Sequence, residues 1–167
     1  MTAGGLSKGQ RRIGTILQEL PFAREQLLVA MEGFGPGFAE DEFVAAALSP
    51  DAHERNRVAV VERQYEVLLN WLHELAARGL AEGFRLGVVD KSPGSPWERL
   101  AALGVISHES ASRLQRVKEL RDILGHAYPP TNWRTLHEGV LILVDELDRY
   151  LVGFEHWAGV EGILVSS

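Results

Sequence analysis

Residues 58–76 read VAVVERQYEVLLNWLHELA, and apolar side chains recur in this stretch every three or four positions. The recurring positions are Val58, Val61, Tyr65, Leu68, Leu69, Leu72, Leu75 and Ala76. Because an α-helix has about 3.6 residues per turn, this spacing places them on one face of a helix. Asp51 precedes the stretch and is a good N-cap, since its carboxylate can accept a backbone N–H of the first turn. The pattern predicts a long helix that starts after Asp51 and ends at Gly79 or Gly83.

The segment before this helix shows the same periodicity. Its apolar positions are Ile13, Ile16, Leu17, Leu20, Leu27, Leu28 and Met31. Pro21 lies inside this stripe and lacks a backbone N–H, so we expect one kinked helix or two short ones. The glycine-rich residues 33–37 break the pattern. A short helix is predicted over residues 40–48.

The segment after the long helix contains three further predicted helices. Residues 90–96 are rich in proline and serine and predict a loop. A short helix follows over residues 97–103, and Gly104 is placed to terminate it as the C′ residue. Ser107 can cap the next helix, which Pro129 and Pro130 bring to an end. Its apolar positions are Leu114, Val117, Leu120 and Leu124.

Thr131 or Asn132 is placed to cap a final helix. The apolar stripe of that helix comprises Leu136, Val140, Leu143, Val144, Leu147, Leu151 and Phe154. No segment alternates apolar and polar residues as a half-buried strand would. Helices joined by short loops predict an all-α antiparallel bundle without a β-sheet, in which residues 1–167 form a single domain.

Composition excludes several classes of function. The chain has 167 residues and no cysteine, which rules out disulfides, thiol nucleophiles and cysteine-bound zinc. Residues 1–10 lack the basic start and apolar run of a signal peptide, and no stretch is long and apolar enough to span a membrane. We therefore expect a cytoplasmic protein without membrane contact. Since the net charge is −6, any contact with nucleic acid must be local.

The residues with the most chemical potential lie at residues 121–128, which read RDILGHAY. Arg121 follows Leu114 and Val117 along one side of the helix, and His126 and Tyr128 come near the glycine and prolines that end it. A guanidinium can clamp a phosphate in bidentate fashion, and an imidazole with a pKa of about 6.5 can move protons. Each residue also has a structural interpretation: a paired arginine, a helix-capping histidine and a packed tyrosine.

The spacing Arg121-x-x-x-x-His126, with polar Asp122 directly after the arginine, resembles the signature of the HEPN ribonucleases. The added tyrosine, Tyr128, is similar to the HepT-like toxin branch of that family. The segment from Leu100 to Gly104 before the motif helix is also similar to that branch. The branch typically has asparagine where this chain has Asp122.

The resemblance implies a metal-independent endoribonuclease toxin of a toxin–antitoxin pair, with no cofactor. Arg121 and His126 are then the catalytic residues and Asp122 supports them, in a cleft between the two subunits of a homodimer. It also implies that a cognate nucleotidyltransferase antitoxin attaches AMP to Tyr128. A dimer would remove a chemical difficulty, because a single histidine serves poorly as both acid and base.

Basic residues accompany the motif. Between residues 111 and 122 there are four basic side chains and two acidic ones. Arg113, Arg116 and Lys118 are therefore candidates for RNA contact, although the same pattern suits a solvated helix face. The histidines show no spacing typical of a metal site.

Two other interpretations stay open. In the first, the chain is a non-catalytic binding module of HEPN fold, either a partner subunit of a nucleotidyltransferase or a transcriptional regulator. It is otherwise an unrelated helical bundle in which Arg121 is structural.

Overall fold

The computed structural model describes residues 5–124 and 131–164, and these contain six α-helices and no strand. The helices are α1 (Lys8–Glu32), α2 (Glu40–Leu48), α3 (Ala52–Arg85), α4 (Pro96–Ala102), α5 (His108–Leu124) and α6 (Thr131–Val160). The prediction of an all-α bundle is confirmed.

The long helix α3 is the centre of the bundle, because each of the other five helices packs against it. Its predicted apolar face is buried along its whole length, from Val58 to Ala76. The tyrosine hydroxyl of Tyr65, in the middle of this face, donates a hydrogen bond to the backbone carbonyl of Val117 at 2.9 Å. This bond connects α3 to α5, the helix that carries Arg121.

The predicted end of α3 at Gly79 or Gly83 is wrong, since the helix continues to Arg85. Both glycines are buried in the helix. A Cβ atom on Gly79 would lie 2.7 Å from the ring of Phe154, and one on Gly83 would overlap Val89. These glycines allow close packing, and the helix instead ends before Gly87, which has a φ of 75°.

Pro21 does not divide α1, which runs from Lys8 to Glu32 as one helix. The side chain of Pro21 is exposed, where water can replace the backbone hydrogen bond that a proline removes. Ser7 and Gln10 form a capping box at the start of the helix. Farther along, Arg12 donates two hydrogen bonds of 3.0 Å to Glu74 and so joins α1 to α3.

The other predicted helix boundaries are mostly correct. Asp51 caps α3 by accepting the backbone N–H of His53 at 2.8 Å, and Ser107 accepts that of Ser110 at 2.9 Å. Gly104 has a φ of 74° and follows the end of α4, as expected. The helix α6 already includes Thr131 and Asn132, so the prediction that one of these residues is the N-cap is wrong. Within the described residues, no helix is long and apolar enough to span a membrane.

Candidate functional site

Arg121 lies at the edge of the apolar face of α5. Leu114, Val117 and Leu120 are buried against the bundle, and their spacing forms that face. The side chain of Arg121 is 29% exposed, so its guanidinium is only partly accessible to water. The bond from Tyr65 holds the carbonyl of Val117, one helical turn before Arg121. The turn of α5 that precedes Arg121 is therefore fixed to α3.

Two neighbours orient the guanidinium of Arg121. Its Nη1 donates to Oδ1 of Asn70 on α3 at 2.6 Å. Its Nε and Nη2 both donate to Oδ1 of Asp122, at 3.3 and 3.1 Å. A guanidinium has five N–H groups, so among the described residues Nη1 and Nη2 each keep one N–H for another acceptor. The group is pre-oriented and can still bind an anion.

His73 lies one turn beyond Asn70 on α3, and it was not identified as a site residue from the sequence. Its ring meets the ring of Trp97 edge to face, with 5.4 Å between the centroids. Burial lowers the pKa of His73, and the positive charges of Lys118 and Arg121 lower it further. Because Asn70, three residues earlier on α3, bonds to Arg121, His73 lies on the side of α3 that faces α5. In the sequence, Asn70 and His73 are two polar residues three positions apart in a largely apolar stretch. Only the packing of α5 against α3 shows that they belong to the candidate site.

The buried Tyr65 of α3 holds α5, the helix that carries Arg121, in place. Burial strongly raises the pKa of Tyr65, and the charge of Arg121 acts in the opposite direction. A Cβ atom on Gly139 of α6 would lie 2.6 Å from the hydroxyl of Tyr65, so this glycine makes room for the tyrosine. Tyr65 is thus a neutral hydrogen-bond donor that fixes the position of α5 and takes no part in proton transfer at neutral pH.

The three candidates for RNA contact have different surroundings. Arg113 donates to Asp145 and to Glu146 of α6, each at 2.6 Å. Arg116 lies 3.6 Å from the carboxylate of Glu138, and both of these side chains are half-exposed. Lys118 forms no ion pair within the described part of the chain. Much of the basic charge on α5 is therefore compensated by carboxylates of α6.

Arg113 is held in a cluster of charged side chains between α5 and α6. The side chain of Glu146 is only 1% exposed, and Arg149 also donates to it, at 2.9 Å. One carboxylate oxygen of Glu146, Oε2, is buried without a hydrogen bond within the described residues. The buried carboxylate thus depends on the two arginines for its compensation.

We predict that Arg113→Ala lowers the free energy of unfolding by about 1–2 kcal/mol, because a buried carboxylate then keeps only one cationic partner. Urea denaturation followed by circular dichroism measures this change. Arg116→Ala is the matched control, since its half-exposed pair with Glu138 is expected to contribute less than about 1 kcal/mol. Equal stability of the two variants would show that the cluster has no structural role.

The remaining site residues predicted from the sequence are His126 and Tyr128, and both lie outside the described residues. Among the described residues, the structure brings Arg121 into contact with Asp122 and Asn70, and His73 lies one turn beyond Asn70 on the same side of α3. Within residues 5–124 and 131–164, no three histidine or acidic side chains are grouped as a metal site requires. Comparisons with protein-family models, with curated proteins and with solved structures gave no match for this chain.

Proposed function

We propose that this protein is a metal-independent endoribonuclease of the HEPN type that acts as the toxin of a toxin–antitoxin pair. The observation that carries the proposal is the orientation of Arg121 by Asn70 and Asp122, which leaves two of its N–H groups without an acceptor among the described residues. Such a guanidinium can stabilise the charge that develops on the phosphoryl oxygens as RNA is cleaved. RNA supplies its own nucleophile, the 2′-hydroxyl group, so the protein needs only proton transfer and charge stabilisation.

In the proposed reaction, the 2′-oxygen bonds to phosphorus while the bond from phosphorus to the 5′-oxygen breaks. His126 is proposed to transfer a proton in this step, and Arg121 to stabilise the transition state. The products are a 2′,3′-cyclic phosphate, or the phosphate that its hydrolysis gives, and a free 5′-hydroxyl. Arg116 is the most exposed of the RNA-contact candidates, and Lys118 forms no ion pair within the described residues.

The test of the proposed function is an RNA cleavage assay in the presence and absence of EDTA. We expect the full chain to cleave single-stranded RNA equally well in both, and mass spectrometry to detect cyclic phosphate ends. Absence of cleavage, or cleavage that EDTA abolishes, would contradict the proposal. The fragments of one defined RNA would also show which bonds are preferred.

The proposal includes a homodimer in which Arg121 and His126 of both copies line a shared cleft. The argument is chemical, because two copies of the site would separate the roles of acid and base. Light scattering at micromolar concentration tests it, and a monomer would contradict it. The partner proposed for this dimer is a nucleotidyltransferase antitoxin encoded with it.

We also propose that this antitoxin attaches AMP to Tyr128. An adenylate adds a negative phosphodiester and a bulky base, which would exclude an RNA phosphate from the site through repulsion and volume. Intact mass spectrometry after co-expression tests this. A gain in mass equal to an adenylyl group (AMP less one water) should be lost in Tyr128→Phe, and a gain that survives this substitution would contradict the assignment.

A second candidate function is a non-catalytic binding module of HEPN fold. The favouring observation is the salt bridge of 3.1 Å between Arg121 and Asp122, because the carboxylate offsets positive charge that a phosphate would need. An apolar patch on α1 and α3, formed by Phe22, Val29 and Val60, also offers a surface for a partner. The cleavage assay separates the two functions, since a binding module would bind its partner and leave RNA intact.

A further inference from the structure

Asn70 and His73 project from the same side of α3. Residues three apart in a helix differ by about 4.5 Å along the axis and about 60° around it. Because Asn70 accepts a hydrogen bond of 2.6 Å from Arg121, this side of α3 faces the end of α5. His73 therefore lies one turn from the contact that orients the proposed phosphate-binding arginine.

The surroundings of His73 favour a neutral imidazole. The ring is half-buried and packs edge to face on Trp97, whose side chain is buried in the core. Within the described residues, neither ring nitrogen of His73 makes a hydrogen bond. Burial and the charges of Lys118 and Arg121 lower its pKa below the ordinary value. At neutral pH the ring thus has a nitrogen lone pair that can accept a proton beside two cations.

We propose that His73 accepts the proton of the 2′-hydroxyl group of RNA, at a phosphodiester that Lys118 and Arg121 of the same chain bind. This inference rests on the proposed ribonuclease function and adds the base to it. The proton leaves the 2′-oxygen for His73 as the bond from that oxygen to phosphorus forms. The bond from phosphorus to the 5′-oxygen breaks, and that oxygen takes its proton from His126, which the proposed function assigns to proton transfer.

The charges around His73 favour this assignment. A base must be unprotonated before the reaction, and neighbouring cations keep His73 in that state. The same cations attract the phosphodiester, whose negative charge then stabilises the imidazolium as it forms.

His73→Gln is the first variant that tests the proposal. Glutamine retains a polar side chain of similar length but cannot act as a base. We expect kcat for RNA cleavage to fall by about 10²-fold, with a smaller change in KM. His53→Gln is the matched control, because His53 is an exposed histidine near the start of the same helix and its backbone N–H bond to Asp51 survives the substitution. Circular dichroism verifies that both variants fold.

The pH dependence of cleavage by Lys118→Met provides a second test. If His73 had only a structural role, this substitution would not shift the pH profile through the pKa of His73. The charged groups that act on His73 within the described residues are Lys118 and Arg121 of α5, whereas α4 contributes the uncharged ring of Trp97. Removing the Lys118 charge raises the pKa of His73. Because the base works only when unprotonated, the acidic limb of the plot of kcat/KM against pH should move to higher pH.

Imidazole NMR signals give a further readout that does not depend on cleavage. Inorganic phosphate should bind between the cations and raise the pKa of His73 in the wild-type chain, and it should do so less in Lys118→Met. An unchanged His73 titration would overturn the proposed site. If the wild type cleaves RNA and a folded His73→Gln cleaves at the same rate, the role of His73 is wrong but the proposed function stands. If the wild type does not cleave RNA at all, both are wrong.

Discussion

RNA cleavage is expected to fall by about 10²–10⁴-fold in His126→Ala, since a positioned acid–base group typically contributes this much to the rate. Arg121→Ala is expected to lower kcat by about 10²–10³-fold, the usual effect of losing a donor that stabilises a developing oxyanion. The two residues are proposed to act in one transition state. The double variant should therefore lose less than the product of the single effects.

Arg121→Lys separates the effect of positive charge at this position from the effect of guanidinium geometry. Lysine keeps the positive charge but lacks the planar fork that reaches Asn70, Asp122 and a phosphate together. We expect this variant to remain close to the alanine variant in kcat. If lysine restores most of the activity, the arginine contributes charge alone, and the geometry at Asn70 is not needed.

The matched control is Arg63→Ala, which removes an exposed arginine of α3 that has no ion pair within the described residues. It should cleave RNA as the wild type does. Gel-based cleavage of one labelled RNA, with all variants prepared in the same way, measures these rates and excludes a contaminating nuclease. If His126→Ala cleaves as fast as the wild type, the catalytic assignment is wrong.

Gly153→Ala is expected to lower the free energy of unfolding by about 1–3 kcal/mol, although alanine is the better helix former. Gly153 lies inside α6, where a Cβ atom would overlap the carbonyl oxygen of Val105. That oxygen belongs to the backbone between α4 and α5, so relief requires one segment to move away from the other. The steric cost should exceed the gain in helix propensity of about 1 kcal/mol.

Gly14→Ala is the matched control for this effect. Gly14 lies inside α1, and a Cβ atom there would meet nothing within 4 Å. This substitution should raise the free energy of unfolding by about 0.5–1 kcal/mol, because only the helix propensity changes. Urea denaturation of both variants compares the two directly. A stabilising Gly153→Ala would show that α6 and the backbone at Val105 are not in close contact.

The Gly153 contact also bears on the proposed site. Val105 lies two residues before Ser107, which caps α5, and α5 carries Arg121 near its other end. A shift of this backbone would move α5 relative to Asn70 and His73 of α3. We therefore expect Gly153→Ala to reduce cleavage through lost positioning, whereas Gly14→Ala should leave cleavage unchanged.

Most of the helical framework could be predicted from the sequence, because the signals are local. The apolar stripe from Val58 to Ala76 specifies a face within one helix. Asp51 and Ser107 cap helices through bonds to N–H groups only two or three residues away, and Gly104 terminates α4 through its own backbone conformation. Such interactions need no knowledge of the rest of the chain.

Tertiary packing decided what these local signals could not. Gly79 and Gly83 read as helix terminators in the sequence, but they lie inside α3 because Phe154 and Val89 need the space. The partners of Arg113 come from α6, more than thirty positions along the chain. Periodicity describes one helix at a time and contains no information on which other helix faces it.

The residues of the candidate site were likewise identified partly from the sequence and partly from the tertiary structure. The sequence by itself determined Arg121 as a chemically capable residue, because its spacing to His126 is visible along the chain. Only the tertiary structure decided that Asn70 orients this arginine and that the side of α3 with His73 faces α5. The physical reason is that charge and hydrogen bonding act through a few ångströms of space, and the folding of α5 against α3 sets those distances.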